Sequence, residues 1–249
     1  MPAIPPGELP PLSDDVVAVA DALRSGLDRI LGENFAGLFL YGAVAFPHPE
    51  PWRIDFDFHV LLERSLTDEE TRGIRAHYTA LASVSDLGAD LDGYFVLLAD
   101  AARPEPPRHQ LDAGVRDEAW ALHRAHVRAG RYFLVAGLDP RPLVPEPSWP
   151  EIDAALRSEL AFIETHPHAT AFGILNGARI LCSFETRDVV LSKYQAGAWA
   201  LAALPAEWHE MIRAAMRWYG QAPAEDDTRL LEESWAPFVE LVRGSLPAT

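Results

Sequence analysis

The sequence predicts a mixed α/β domain followed by an all-helical one. Three observations predict it. From Ser13 to Leu98, helical and strand-like periodicities follow in the order helix, strand, strand, helix, strand. A proline-rich stretch, Gly137 to Pro147, then blocks both helix and ladder. Beyond it strand signals vanish and only helical spacings follow.

Residues 1 to 12 are proline-rich and read as irregular. Ser13 is placed to cap a helix whose first turn holds Asp14 and Asp15, favourable against the helix dipole. Val16, Val19, Ala20, Leu23, Leu27, Ile30 and Leu31 continue it at helical spacing, and Gly32 ends it. Leu38 to Leu40 reads as a buried strand running into the Tyr41-Gly42-Ala43 turn. A loop with Pro47, Pro49 and Pro51 leads to a second strand, Ile54 to Leu62. Thr67-Asp68-Glu69-Glu70 has capping-box form and opens a helix to about Ser83. A third strand covers Leu91 to Leu98, and a helix covers Val115 to about Ala129. Helices are then expected over 150–165, 169–184, 196–204, 207–219 and 226–246. The expected division is an α/β domain over 1–140 and a helical domain over 148–249.

Composition narrows the function. Hydrophobic content of 49% is that of a globular chain. A formal charge of -16 argues against a nucleic-acid surface and against docking to anionic lipid, and suits a cationic small molecule. The single Cys182 rules out an intrachain disulfide and reads as a packed, inert thiol. The N-terminal residues lack a basic region followed by an apolar run, and no apolar stretch has transmembrane length, so a cytoplasmic location is expected.

The chemistry-bearing pattern is Asp55-Phe56-Asp57-Phe58. On a strand, Asp55 and Asp57 share a face while Phe56 and Phe58 take the other. Adjacent carboxylates raise each other's pKa unless a cation sits between them, so a divalent metal and a phosphate-bearing ligand are suggested. The competing reading is a strand with one solvated face. Asp92 on the third strand would add a third oxygen ligand, a set suited to a metal–nucleotide complex; alone it reads as a turn residue between Gly88 and Gly93. His123 and His126 are spaced i, i+3, and His166 and His168 flank Pro167, but no further His or Cys is placed to complete a zinc set. No nucleophile elbow, Walker loop or dinucleotide-binding glycine motif is present.

The Tyr41-Gly42-Ala43 turn, Asp55-x-Asp57 and the Asp92 strand together resemble the nucleotidyltransferase superfamily. Asn176 to Ser183, Ser192-Lys193-Tyr194-Gln195-Ala196-Gly197-Ala198-Trp199-Ala200, Leu204-Pro205 and Trp218-Tyr219-Gly220-Gln221 resemble one branch of it, the streptomycin/spectinomycin-type aminoglycoside adenylyltransferases. The resemblance implies Mg²⁺ held by Asp55, Asp57 and Asp92, with Asp92 also a general base. It implies nucleotide contacts from Gly42, Ala43, Ser183, Lys193 and Tyr219. The implied reaction is attack of a small-molecule hydroxyl on the α-phosphate of ATP, releasing pyrophosphate. Two departures stand out. Ala43 replaces the serine of the family's Gly-Ser turn, and Asp92 replaces a glutamate. They leave open a non-enzymatic alternative, a nucleotide- or ligand-binding relative with impaired catalysis.

Overall fold

The computed structural model describes residues 9–168 and 170–247. The irregular reading of residues 1–8 and a helix start at Ala169 fall outside them. The chain forms two compact units. The first comprises the chain up to Pro47 and Ile54–Glu151; the second comprises His48–Arg53 and the chain from Ile152 onward.

In the first unit the elements are α1 (Asp14–Leu31), β1 (Phe35–Leu40), β2 (Phe56–Leu62), α2 (Asp68–Ala82), α3 (Asp86–Ala89), β3 (Leu91–Leu97), α4 (Leu98–Ala101), α5 (Trp120–Arg128) and β4 (Phe133–Gly137). Their starts follow the capping chemistry. The Ser13 hydroxyl accepts from Val16 N–H at 3.4 Å. Thr67 and Glu70 form the full capping box of α2.

The strands make one mixed sheet in the order β3-β2-β1-β4. β2 pairs parallel with β3, while β1 pairs antiparallel with both β2 and β4. Alternation sorts the side chains to two faces. Leu38, Leu40, Phe56, Phe58, Val60 and Leu62 join Leu23 and Leu27 of α1 and Ile74 of α2 in one core. Phe39, Leu61 and Val96 join Trp120 and Val127 of α5 on the opposite face.

Two sequence expectations are corrected. The α5 helix begins at Trp120, not Val115, because the residues before it are spent on other bonds. Arg116 bridges Arg108, and Asp117 N–H donates to the Pro107 carbonyl. Strand β4, which sequence reasoning missed, is short, half-exposed and followed at once by the proline-rich stretch. It forms because β1 offers it a ladder from Leu38–Ala136 to Leu40–Phe133.

The second unit is helical: α6 (Trp149–Thr165), α7 (Thr170–Thr186), α8 (Lys193–Ala203), α9 (His209–Tyr219) and α10 (Asp227–Ser245). The first residues of α6 fall within the first unit. Ser192 and Gln195 form a second complete capping box, which starts α8 at Lys193. Glycines on α7 set the packing distance: a Cβ on Gly177 would lie 3.0 Å from the Phe238 ring of α10. Cys182 is buried in α7, and burial pushes its thiol up. No helix among the described residues is long and apolar enough to cross a membrane.

Candidate active site

The β2–β3 register brings the predicted carboxylates together. Asp57 pairs directly with Asp92, and Asp55 stands one residue before β2, within electrostatic reach of Asp92. Phe56 and Phe58, pointing the other way, are 1% and 0% exposed, so this strand cannot slip without burying its charges. Asp92 is open to solvent, yet its surroundings disfavour its charge. Burial against the protein raises its pKa, His123 opposes the rise, and Asp55, Asp117 and Asp90 add to it. A hard cation among these oxygens would relieve that repulsion, so the donor set fits Mg²⁺ chemically.

Gly42 belongs to the same site. Its φ is +71°, and a Cβ there would fall 1.9 Å from Asp57 Oδ2. The carboxylate therefore occupies the space a side chain would need. Tyr41 N–H donates to the Asp57 carbonyl at 3.1 Å, fixing the turn to β2. Ala43 lies half-buried in the short 3₁₀ turn Gly42–Ala45.

Further along the same face lies a hydrogen-bonded set the sequence did not reveal. Asp117 Oδ2 accepts from His59 Nε2 at 3.1 Å and from His123 Nδ1 at 2.8 Å. His59 is 0% and Asp117 1% exposed, while His123 is partly open. The three donor atoms lie within 4.8 Å of one another, close enough to hold a metal. A ligating histidine normally donates its other ring nitrogen to an acceptor, and His59 Nδ1 has no hydrogen-bond partner among the described residues. The set is better described as a buried aspartate gripped by two imidazoles. The i, i+3 pair of the sequence is thus split: His123 joins Asp117, and His126 packs its ring 5.3 Å from Phe46. Period-two alternation from Asp55 through Asp57 could have flagged His59. Asp117 carried no such signal, because the sequence placed it inside a helix.

The remaining predicted residues lie in the helical unit. Lys193 Nζ stands 4.8 Å from the Phe172 ring centroid and 5.0 Å from that of Tyr219. Trp52 stacks on Tyr219 with centroids 5.5 Å apart, and Arg53 N–H donates to the Tyr219 carbonyl at 2.6 Å. Segment His48–Arg53, chain that leaves the α/β unit and returns to it, is therefore part of this aromatic cluster. Ser183 is fully buried on α7, and its hydroxyl has no hydrogen-bond partner among the described residues.

Fold and site together define a two-unit protein with clustered carboxylates on a mixed sheet and a separate helical unit. Residues 149–244 match the family model described as aminoglycoside adenylyltransferase, C-terminal domain. The crystal structure of spectinomycin adenyltransferase AAD(9) from Enterococcus faecialis, solved with ATP and spectinomycin, has the same fold. Its TM-score is 0.74 at 16% identity, covering 91% of this chain and 99% of that one. The chain thus resembles the aminoglycoside adenylyltransferases in sequence over residues 149–244 and shares the fold of AAD(9) over 91% of its length. Among curated protein sequences, none matches it.

Proposed function

We propose that this protein is a Mg²⁺-dependent nucleotidyltransferase that moves AMP from ATP onto a hydroxyl of a small cationic molecule of the aminoglycoside class. One observation carries the reading: Asp57 pairs with Asp92 across the β2–β3 ladder, Asp55 stands one residue before β2, and Gly42, with φ of +71°, packs against the Asp57 carboxylate. The family match over 149–244 and the fold shared with an enzyme solved with ATP and spectinomycin support it.

In this reading the three aspartates hold Mg²⁺, which when bound offsets phosphate charge. The Asp57 backbone, tied to Tyr41, keeps the carboxylates in register, and the Gly42–Ala43 turn is assigned to the nucleotide phosphates. On the helical unit, Lys193 and Tyr219 are assigned to the nucleotide. The acceptor hydroxyl gives its proton to Asp92 as its oxygen bonds to the α-phosphorus and the bond to pyrophosphate breaks. The charge of -16 steers a cationic acceptor toward the protein.

Calorimetry with ATP and Mg²⁺ tests the reading. Wild type is expected to bind ATP only with the metal, and Asp57→Asn to lose that dependence. Pyrophosphate release is then expected with spectinomycin or streptomycin. No metal-dependent ATP binding in wild type ends the proposal. The non-enzymatic alternative draws on Ala43 and on segment 48–53 being absorbed by the helical unit; ATP binding without pyrophosphate release across an acceptor panel would mark it.

A further inference from the structure

Lys193 is the one lysine of the sequence. A lysine in solvent samples many rotamers, and fixing it on a ligand costs side-chain entropy. Here the ammonium already rests against two rings, 4.8 Å from the Phe172 centroid and 5.0 Å from that of Tyr219. Aromatic faces attract a cation, so the pair narrows where the charge can go. A charge placed before its ligand arrives lowers the cost of binding that ligand.

Such a seat is only as firm as its rings, and Tyr219 stands where a helix is weakest. It is the last residue of α9, and the final carbonyls of a helix find no partner within it. Segment His48–Arg53, itself part of the helical unit, supplies the missing support. Arg53 N–H donates to the Tyr219 carbonyl at 2.6 Å, and the Arg53 guanidinium lies 5.0 Å from the Trp218 ring centroid. Trp52 covers the Tyr219 ring, tilted from it by only 24° with centroids 5.5 Å apart. Trp52 is held in turn, edge-on to Tyr194 at 5.4 Å and stacked on His48 at 6.2 Å. Pro49 and Pro51 restrict the backbone that delivers it. Trp52 is 7% and Tyr219 3% exposed, so their faces serve each other and Lys193.

We propose that Trp52 is a positioning residue for nucleotide binding: stacked on Tyr219, it holds the ring against which the Lys193 ammonium rests, and so sets where that charge meets ATP. The inference rests on the nucleotidyl-transfer reading above, which assigns Lys193 to the nucleotide. Trp52 acts through Tyr219 and touches neither ATP nor the reacting atoms. Bulk alone does not perform this task. A flexible side chain of similar length fills the space but offers Tyr219 no flat face to stack on.

A single lysine makes the test direct. The full chain labelled with carbon-13 lysine gives one ε-methylene signal, and the Phe172 and Tyr219 ring currents should move it upfield of free lysine in ligand-free wild type. Trp52→Phe should keep that shift. Trp52→Met, shown by thermal melting to be folded, should return the signal toward the free value. Calorimetry with ATP and Mg²⁺ should find Trp52→Phe within about threefold of wild type and Trp52→Met weaker by about fivefold or more, though no weaker than Lys193→Met. Because Trp52 acts through Lys193, the double variant Trp52→Met, Lys193→Met should bind ATP as Lys193→Met does. A wild-type signal at the free-lysine position overturns the proposal before any variant is made. A Trp52→Met signal left at the wild-type shift overturns it too, as do affinity losses that multiply in the double variant, the mark of general loosening. A wild type whose shifted signal answers to Trp52 but which binds no ATP with Mg²⁺ would sink the transfer reading, and the task of Lys193 with it, while the support of Lys193 by Trp52 and Tyr219 would stand.

Discussion

Gly42 and Asp57 occupy the same space: a Cβ on residue 42 would sit 1.9 Å from Asp57 Oδ2, on a backbone with φ of +71°. Turn and carboxylate are therefore one device. Gly42→Ala is expected to strain the turn by about 1–2 kcal/mol and to push the Asp57 carboxylate aside. At about 2–4 °C per kcal/mol for a chain of this size, melting should fall by a few degrees. Metal-dependent ATP binding should fall much further. Calorimetry beside a thermal melt separates the two, and unchanged ATP affinity would show that the turn does not set the carboxylate.

Glu70 gives the α/β unit an acid limit. It accepts from Arg64 at 2.9 and 3.0 Å, from Thr67 N–H at 2.7 Å and from Asn34 at 3.3 Å. Burial works against its charge, but these bonds hold its pKa down to about 2 from an ordinary 4.5. Because the folded value is the lower one, the folded state binds this proton less readily than the unfolded chain. The stabilisation is complete above about pH 4.5 and disappears as pH falls toward 2. With the exposed Arg64 screened by solvent, it amounts to about 2 kcal/mol. Glu70→Gln should flatten this limb in urea melts taken between those pH values. A variant curve parallel to wild type would refute the assignment.

Arg124 is fully buried, donating to the carbonyls of Pro104 at 3.1 Å and Pro145 at 3.3 Å and to the Glu151 carboxylate. The proline-rich stretch is thus bound to α5 through one guanidinium. Glu151→Ala leaves that charge without its counterion and should cost about 3–5 kcal/mol. Arg124→Met, which removes charge and need together, should cost less. Chemical denaturation of both variants decides it, and the reverse order would mean that Glu151 matters only as part of the α6 start.

How much of this was legible follows from the range of each interaction. The capping box at Thr67 acts within three residues, so the sequence displayed it and the structure has it; the one at Ser192 is as local, yet its helix was expected only from residue 196. The Asp55–Asp57 face was equally local. The Asp57–Asp92 register is a long-range pairing: the sequence offered Asp92 as a third ligand from a neighbouring strand, and only the β2–β3 ladder shows the register. Asp117 was out of reach. Its partners lie 58 and 6 residues away, and the second is not on its face of a helix because α5 starts only at Trp120. Strand β4 failed similarly, since its order comes from β1 and not from its own alternation.

Lys193 should separate binding from stability in the helical unit. Its ammonium lies near the Phe172 and Tyr219 rings, contacts worth about 0.5–2 kcal/mol. Lys193→Met keeps an apolar stem of similar length. Melting is expected to change by only a few degrees, whereas a lost charge-assisted contact to phosphate, about 1.5–3 kcal/mol, would weaken ATP about 10- to 150-fold. Titration of ATP into both proteins measures it. Equal affinities would remove Lys193 from the nucleotide site.

Ala43 offers a test by gain of function. It occupies the second position of the 3₁₀ turn and is half-buried, directly after the glycine that meets Asp57. Serine adds one hydroxyl and little volume, and resemblance places a serine there in the adenylyltransferases. If a phosphate oxygen approaches this turn, Ala43→Ser should supply one hydrogen bond to a charged acceptor. Such a bond contributes about 1.5–3 kcal/mol, enough to tighten ATP by at least about tenfold. The melting temperature should barely move. Tighter ATP with faster pyrophosphate release would mean that the wild-type turn limits an otherwise complete transferase. Tighter ATP with no release would place the deficit in the transfer step and not in nucleotide binding. No change in affinity would mean that the phosphates lie away from this turn, and the Gly42 device would then serve the carboxylates alone.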